Sequence, residues 1–139
     1  MIRALAALAV TVTLLAGCGG SSSSEAASDS SLPAEETFAD GPCRNAAPDI
    51  LAIGRTLPRL DKKGTLDQEV RDTLRDAQAV LAAIAAGAPS ASKPALSDLA
   101  DKAGLVRSRA DANSYEKAQG EQLRSSYEAA VKACTAPAG

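Results

Sequence analysis

Histidine is absent from the 139 residues, tryptophan is absent too, and methionine occurs once, at Met1. Haem held by His or Met, type-1 copper, His-based zinc sites and the Glu-x-x-His pattern of di-iron bundles all need residues this chain lacks. A Ser-His-Asp or Cys-His nucleophile falls on the same ground. Neither Gly-x-Ser-x-Gly nor a phosphate-cradling Gly-rich loop occurs. The sequence therefore predicts no cofactor, no metal site and no enzyme.

Aromatic residues are nearly missing as well: Phe38, Tyr115 and Tyr127 are the whole set. This weighs on the paired carboxylates, Asp72 with Asp76 and Asp98 with Asp101, each on one helix face. Glycosidases use two carboxylates, but across a cleft lined with surface on which sugars stack, and that surface is wanting here. The pairs read instead as solvated faces, supported by Asp67–Arg71, Asp98–Lys102, Lys117–Glu121 and Glu128–Lys132 at i,i+4. Ser92 beside Lys93 reads as a helix cap with a solvated lysine, because no Ser-x-x-Lys elbow accompanies it. Alanine supplies much of the apolar content and little area per residue, so a domain built from it has a thin core.

What is present begins with a leader. Arg3 gives a positive start, residues 4–15 form an uncharged, mostly apolar run, and Leu15-Ala16-Gly17-Cys18 closes it with small residues before the cysteine. At 1.5 Å per residue the run covers roughly 18 Å, short of the ~30 Å hydrocarbon core of a bilayer. Gly19, Gly20 and four serines follow as a flexible tether. The tetrapeptide resembles the lipobox of bacterial lipoproteins. The resemblance covers only the leader and Cys18, names a processing class and implies no activity. It implies removal of residues 1–17, a diacylglycerol thioether (palmitate-type acylation) on Cys18, and a lipid-anchored protein on the extracytoplasmic face of the cell membrane. Two or three acyl chains, at ~0.8 kcal/mol per buried methylene, hold firmly.

With Cys18 lipidated, Cys43 and Cys134 remain as a pair in an oxidising compartment, and a disulfide between them is expected. The loop of about 91 residues that it closes is worth roughly 4–5 kcal/mol on the chain-entropy argument. Residues 18–42 carry Glu25, Asp29, Glu35, Glu36 and Asp40 with no Lys or Arg, and read as a lipidated cysteine followed by a disordered acidic linker. A short helical turn within Pro33 to Ala39 is the only structure expected there.

Residues 43–139 are expected to form one domain. Apolar or small residues recur at spacings of three and four: Cys43, Ala46, Ile50, Ile53, Leu57, Leu60; Val70, Leu74, Ala77, Leu81, Ile84; Leu96, Leu99, Ala103, Val106, Ala110; Leu123, Tyr127, Ala130, Cys134. This predicts four amphipathic helices and no strand. Pro48 is placed in the first turn of the first helix. Pro58 and the Asp61-Lys62-Lys63-Gly64 stretch end it. Thr65 with Gln68 is read as a capping box for the second, and Gly87, Pro89, Ser90 and Ser92 separate second from third.

The third boundary, Asp111-Ala112-Asn113-Ser114, holds neither Gly nor Pro, so one helix from Lys93 to Cys134 competes with a break at which Asn113 and Glu116 cap a fourth. A continuous helix of about 63 Å would carry Cys134 out of reach of Cys43. The break is therefore expected, and with it an all-α, antiparallel up-down-up-down four-helix bundle closed by one disulfide.

Two surfaces are candidates for contact. The end of the bundle far from the tether gathers Arg55, Arg59, Lys62, Lys63, Arg107 and Arg109, in a domain whose residues 43–139 carry 14 basic and 12 acidic side chains. Such a basic tip suits an anionic envelope polymer or an acidic protein, and nothing resembles a nucleic-acid motif. The second surface is the back half of the second helix, uncharged through residues 77–92, where Val80, Ala83 and Ala86 lie off the core seam. The resulting expectation is a non-catalytic, membrane-anchored module that binds or scaffolds an envelope protein or polymer. The alternative is a carrier of a small apolar or lipid ligand inside the bundle.

Overall fold

The computed structural model describes residues 32–61 and 65–135. The leader, Cys18, residues 19–31, Lys62 and Lys63 lie outside the described residues. Four helices account for most of the described chain: α1 (Pro42–Thr56), α2 (Gln68–Ala86), α3 (Lys93–Asp111) and α4 (Lys117–Thr135), with no strand among the described residues. Tight turns of 3-10 helix precede α1 at Glu35–Thr37 and extend it at Leu57–Asp61.

The periodic residues form the core. Ile50, Ile53, Val70, Leu74, Leu81, Leu96, Leu99, Val106, Leu123 and Cys134 are wholly enclosed, and the alanines Ala46, Ala77, Ala103, Ala110 and Ala130 fill the layers between them. Of the predicted seam only Ile84 is half-buried. α2 packs most extensively on α3, α3 on α4 and α1 on α2, while α1 meets α4 at the disulfide. Cys43, the second residue of α1, is bonded to Cys134 near the end of α4, with their Cα atoms 5.2 Å apart.

The helix boundaries correct three expectations. Pro48 sits inside α1, not in its first turn, because Pro42 occupies the start, where its fixed φ suits a helix and its missing N–H costs nothing. Pro48 then leaves the Arg44 carbonyl without its usual helical partner. The Thr65–Gln68 capping box does not form: α2 starts at Gln68 after Asp67, so Gln68 is the first helical residue instead of the third. Its side chain bonds Asp72 and Arg71 instead. Ser92 does stand at the N-cap of α3, with no side-chain cap bond.

The break between α3 and α4 is where it was expected, by a different device. Asn113 does not start α4; it ends α3. Its φ of +53° is the left-handed conformation that Asn tolerates better than most residues. The Asn113 N–H bonds the Ala110 carbonyl, and the Ser114 N–H bonds that of Arg109 at 2.8 Å, the paired closure of a Schellman motif. α4 is then opened by Glu116, whose N–H donates to Gln119 Oε1 at 2.6 Å. This is half of a capping box, one turn later than the sequence pattern placed it.

The acidic segment before α1 is the fourth correction. Residues 32–41 are packed onto the bundle and are no linker: Phe38 is 1% exposed and belongs to the core. Ala39 N–H donates to the Cys134 carbonyl at 2.8 Å, Arg44 Nη2 donates to the Glu36 carbonyl, and Arg44 pairs with Asp40 at 3.5 Å. Gly41, at φ +86° with open space around its Cα, turns the chain from this segment into α1. A single aromatic side chain supplies the burial that Glu35, Glu36 and Asp40, all exposed, do not.

Candidate functional site

The end of the bundle holding the end of α1 and the start of α2 gathers the charges expected there, but in pairs. Arg59 donates to Asp67 at 2.8 Å and to Glu69 at 2.9 Å, and these two partners hold its guanidinium above the ordinary range. Asp111, at the end of α3, takes Arg107 at 3.0 Å and Arg71 of α2 at 3.7 Å. Arg124 of α4 reaches Asp61 at 3.2 Å and also the Leu57 carbonyl. Three separate sets of ion pairs thus join the turn after α1 to the start of α2, α2 to the end of α3, and α4 to the turn after α1. Exposed pairs of this kind each contribute little to stability, but they take up charge that an anionic ligand needs.

Of the predicted basic tip, Arg59 and Arg107 are engaged in ion pairs, and Arg109 is exposed. Arg55 is exposed on α1, where its charge bears on Tyr127. Lys62 and Lys63 lie outside the described residues.

The back half of α2 presents the opposite character. Ala79, Val80, Ala82, Ala83 and Ala86 are exposed, whereas Leu81 is fully buried and Ala85 nearly so. Val80, at 42% exposure, is the one large hydrophobic side chain exposed among the described residues. Its neighbours one and two turns back on the solvent side, Asp72, Arg75 and Asp76, form ion pairs of their own, so the charged half of α2 ends where the bare half begins. At the far end Lys93 Nζ reaches the Ala86 carbonyl at 3.5 Å, which places the cation of the Ser92-Lys93 pair on the C-terminus of α2.

The carboxylate pairs resolve into separate roles. Asp98 accepts a hydrogen bond from Ser126 across α3 and α4. Asp76 is held by Arg75. Asp49 on α1 is pushed above the usual carboxylate range, first by partial burial and further by the charge of Asp76, against a backbone hydrogen bond that lowers it. Among the described residues no three of His, Cys, Asp and Glu gather in a metal-holding group. No helix among them is long and apolar enough to cross a membrane.

Of the two buried tyrosines, the sequence pattern placed Tyr127 on the apolar seam and gave Tyr115 no role. Tyr115 donates to the Leu60 carbonyl, in the space that Gly120 leaves by lacking a Cβ. The Tyr127 hydroxyl is buried with no hydrogen-bond partner. It lies against Gly54, where an added Cβ would stand 2.9 Å from the hydroxyl and 2.8 Å from Leu32 Cδ2. The signal for both was a glycine in the middle of an otherwise strong helical pattern, which marks close approach of a neighbour.

No family model matches the chain, and no curated protein or solved structure matches it. The fold and the site rest on the residues themselves.

Proposed function

We propose that this protein is a non-catalytic, lipid-anchored module on the extracytoplasmic face of the cell membrane. In this reading it binds an envelope protein through the bare back half of α2. The observation that carries the contact is the exposure of Val80 together with Ala79, Ala83 and Ala86, an uncharged strip that follows the ion-paired front half of the same helix. Small side chains let a partner helix approach the α2 backbone closely, and Val80 supplies an apolar anchor at the edge of that strip. The anchor to the membrane rests on Leu15-Ala16-Gly17-Cys18 and its flanks, by resemblance to bacterial lipoproteins.

The contacts at the bundle ends support an up-down-up-down arrangement. Separate ion pairs join the turn after α1 to the start of α2 and to α4, and the start of α2 to the end of α3, while the start of α1 and the end of α4 share the disulfide. In that arrangement the tether leaves from the disulfide end.

A carrier of apolar ligand needs room inside the bundle. The tight approach of Leu32 and Tyr127 to Gly54, and of Tyr115 to Gly120, favours a filled interior at those levels. The test is photocrosslinking in intact cells from residues 80, 83 and 86 in turn, with residue 128 on the exposed side of α4 as control. Capture of one protein from the α2 positions and not from 128 supports the reading. Equal capture from all four, or none, refutes it.

A further inference from the structure

The segment that was expected to be a linker crosses the bundle at its disulfide, and this relation has chemical consequences. Cys134 is 0% exposed and Cys43 is 7% exposed, so the closed fold leaves a reductant little access to the bridge. Ala39 N–H closes on the carbonyl of Cys134 itself, and Phe38 is buried next to it in the chain. Arg44, the neighbour of Cys43, holds the same segment through the Glu36 carbonyl and Asp40. Each half of the bridge therefore sits beside a group that fastens residues 36–40. Gly41, with positive φ and no neighbour within 4 Å of a Cβ position, is a pivot on which the segment can lift without dragging α1.

We propose that residues 32–41 are a strap that gates the Cys43–Cys134 disulfide: the docked strap shields the bridge from dithiol reductants, and the bridge in turn keeps the strap docked. The second half rests on its own contacts: the bridge holds Cys134 and Cys43 together, and the Cys134 carbonyl and Arg44 beside them are the groups that fasten residues 36–40.

When the strap lifts, a thiolate of the dithiol attacks Sγ of Cys43, the more exposed of the two residues. A mixed disulfide forms, the Sγ–Sγ bond breaks, and the Cys134 thiolate departs and takes up a proton. The second thiol of the reductant then attacks the mixed disulfide, releasing Cys43 as a thiol and leaving the reductant as a cyclic disulfide. Two electrons pass to the protein, and the reductant supplies the two protons. Once reduced, the carbonyl of Cys134 is held in place only by its helix. The Ala39 bond then weakens with it.

The experiment measures thiol release from the full chain in detergent, by alkylation and mass spectrometry, under excess dithiothreitol without denaturant. Ala39→Pro removes the N–H that reaches Cys134, and Phe38 already has the extended backbone (φ −75°, ψ 137°) that a following proline requires. Phe38→Ala removes the buried side chain, and Leu99→Ala, in α3, is a core control whose urea midpoint is measured alongside. Ala39→Pro decides: thiol release at least tenfold faster than in the unsubstituted chain, with a urea midpoint lowered no further than in Leu99→Ala and release faster than in that variant, supports the gate. Release no faster than in Leu99→Ala shows that reduction goes through global unfolding and overturns it. Phe38→Ala, where it folds, is expected to rank with Ala39→Pro. Hydrogen exchange of the Ala39 amide, unchanged between oxidised and reduced protein, would overturn the return half of the latch.

Discussion

Tyr115, in the turn before α4, donates its phenolic hydrogen to the carbonyl oxygen of Leu60, 55 residues earlier in the chain, at 2.6 Å. The phenol fits because Gly120 carries no side chain against it. The bond closes the end of the 3-10 turn after α1 onto the start of α4, where a carbonyl leaving a helix lacks a partner of its own. Tyr115→Phe keeps the ring and strands that carbonyl. The expected loss is about 1–3 kcal/mol, read as a fall in the urea midpoint with an unchanged slope.

Tyr127 is the contrasting case. Its hydroxyl is enclosed without a partner, so the folded state bears a desolvation cost that phenylalanine would not. Tyr127→Phe is expected to leave stability unchanged or to raise it by about 1 kcal/mol, the reverse of Tyr115→Phe. A loss comparable to that of Tyr115→Phe would mean that the hydroxyl has a partner in solution.

Burial raises both phenols above their ordinary value of 10.0. Well below pH 10 both states hold neutral tyrosines and the contribution is constant. Above it the unfolded chain loses its phenolic protons first, so the folded state binds more protons and stability falls with rising pH. Urea midpoints measured between pH 8 and pH 11 should be flat and then descend. Tyr127→Phe should make the descent shallower, and an equal descent in that variant would show that Tyr127 takes no part.

Cys18 carries the anchoring reading. Cys18→Ala is expected to yield a protein that no longer partitions into a detergent phase, and intact mass of the unsubstituted protein extracted from membranes should include acyl chains. A mature mass free of acyl groups would remove the lipoprotein reading and leave the bundle unaffected.

The core was legible because its signal is periodic: residues spaced three and four apart, from Ala46 to Ile53 or from Leu96 to Ala110, have no other way to bury a common face. The cysteines were legible by arithmetic, two remaining after one is assigned elsewhere. The strap was not, since one Phe among acidic residues makes no period, and its burial depends on a niche that only the assembled bundle creates. The Asn113 closure was half legible. Asn serves at either end of a helix, and the choice is made by backbone conformation, which spacing does not encode. At the tip the arginines could be counted, but which carboxylate each one meets, such as Glu69 for Arg59, depends on side-chain placement that spacing does not encode.

The α2 surface yields the sharpest mutational contrast. Ala83 and Ala86 are exposed, and Leu81, between them and Ala77 in the chain, is 0% exposed. A carboxylate at residue 83 or 86 remains in water and replaces a residue of strong helix propensity, so Ala83→Glu and Ala86→Glu are expected to cost under about 0.5 kcal/mol each. The same carboxylate at residue 81 is driven into an apolar layer with no partner, and Leu81→Glu should abolish the cooperative unfolding transition. If the proposed partner binds this face, the two alanine variants lose crosslinking and capture while keeping the original urea midpoint. Normal capture by folded Ala83→Glu and Ala86→Glu would move the contact off α2. Unfolding as severe as that of Leu81→Glu would mean that the strip is covered in solution and belongs to the core.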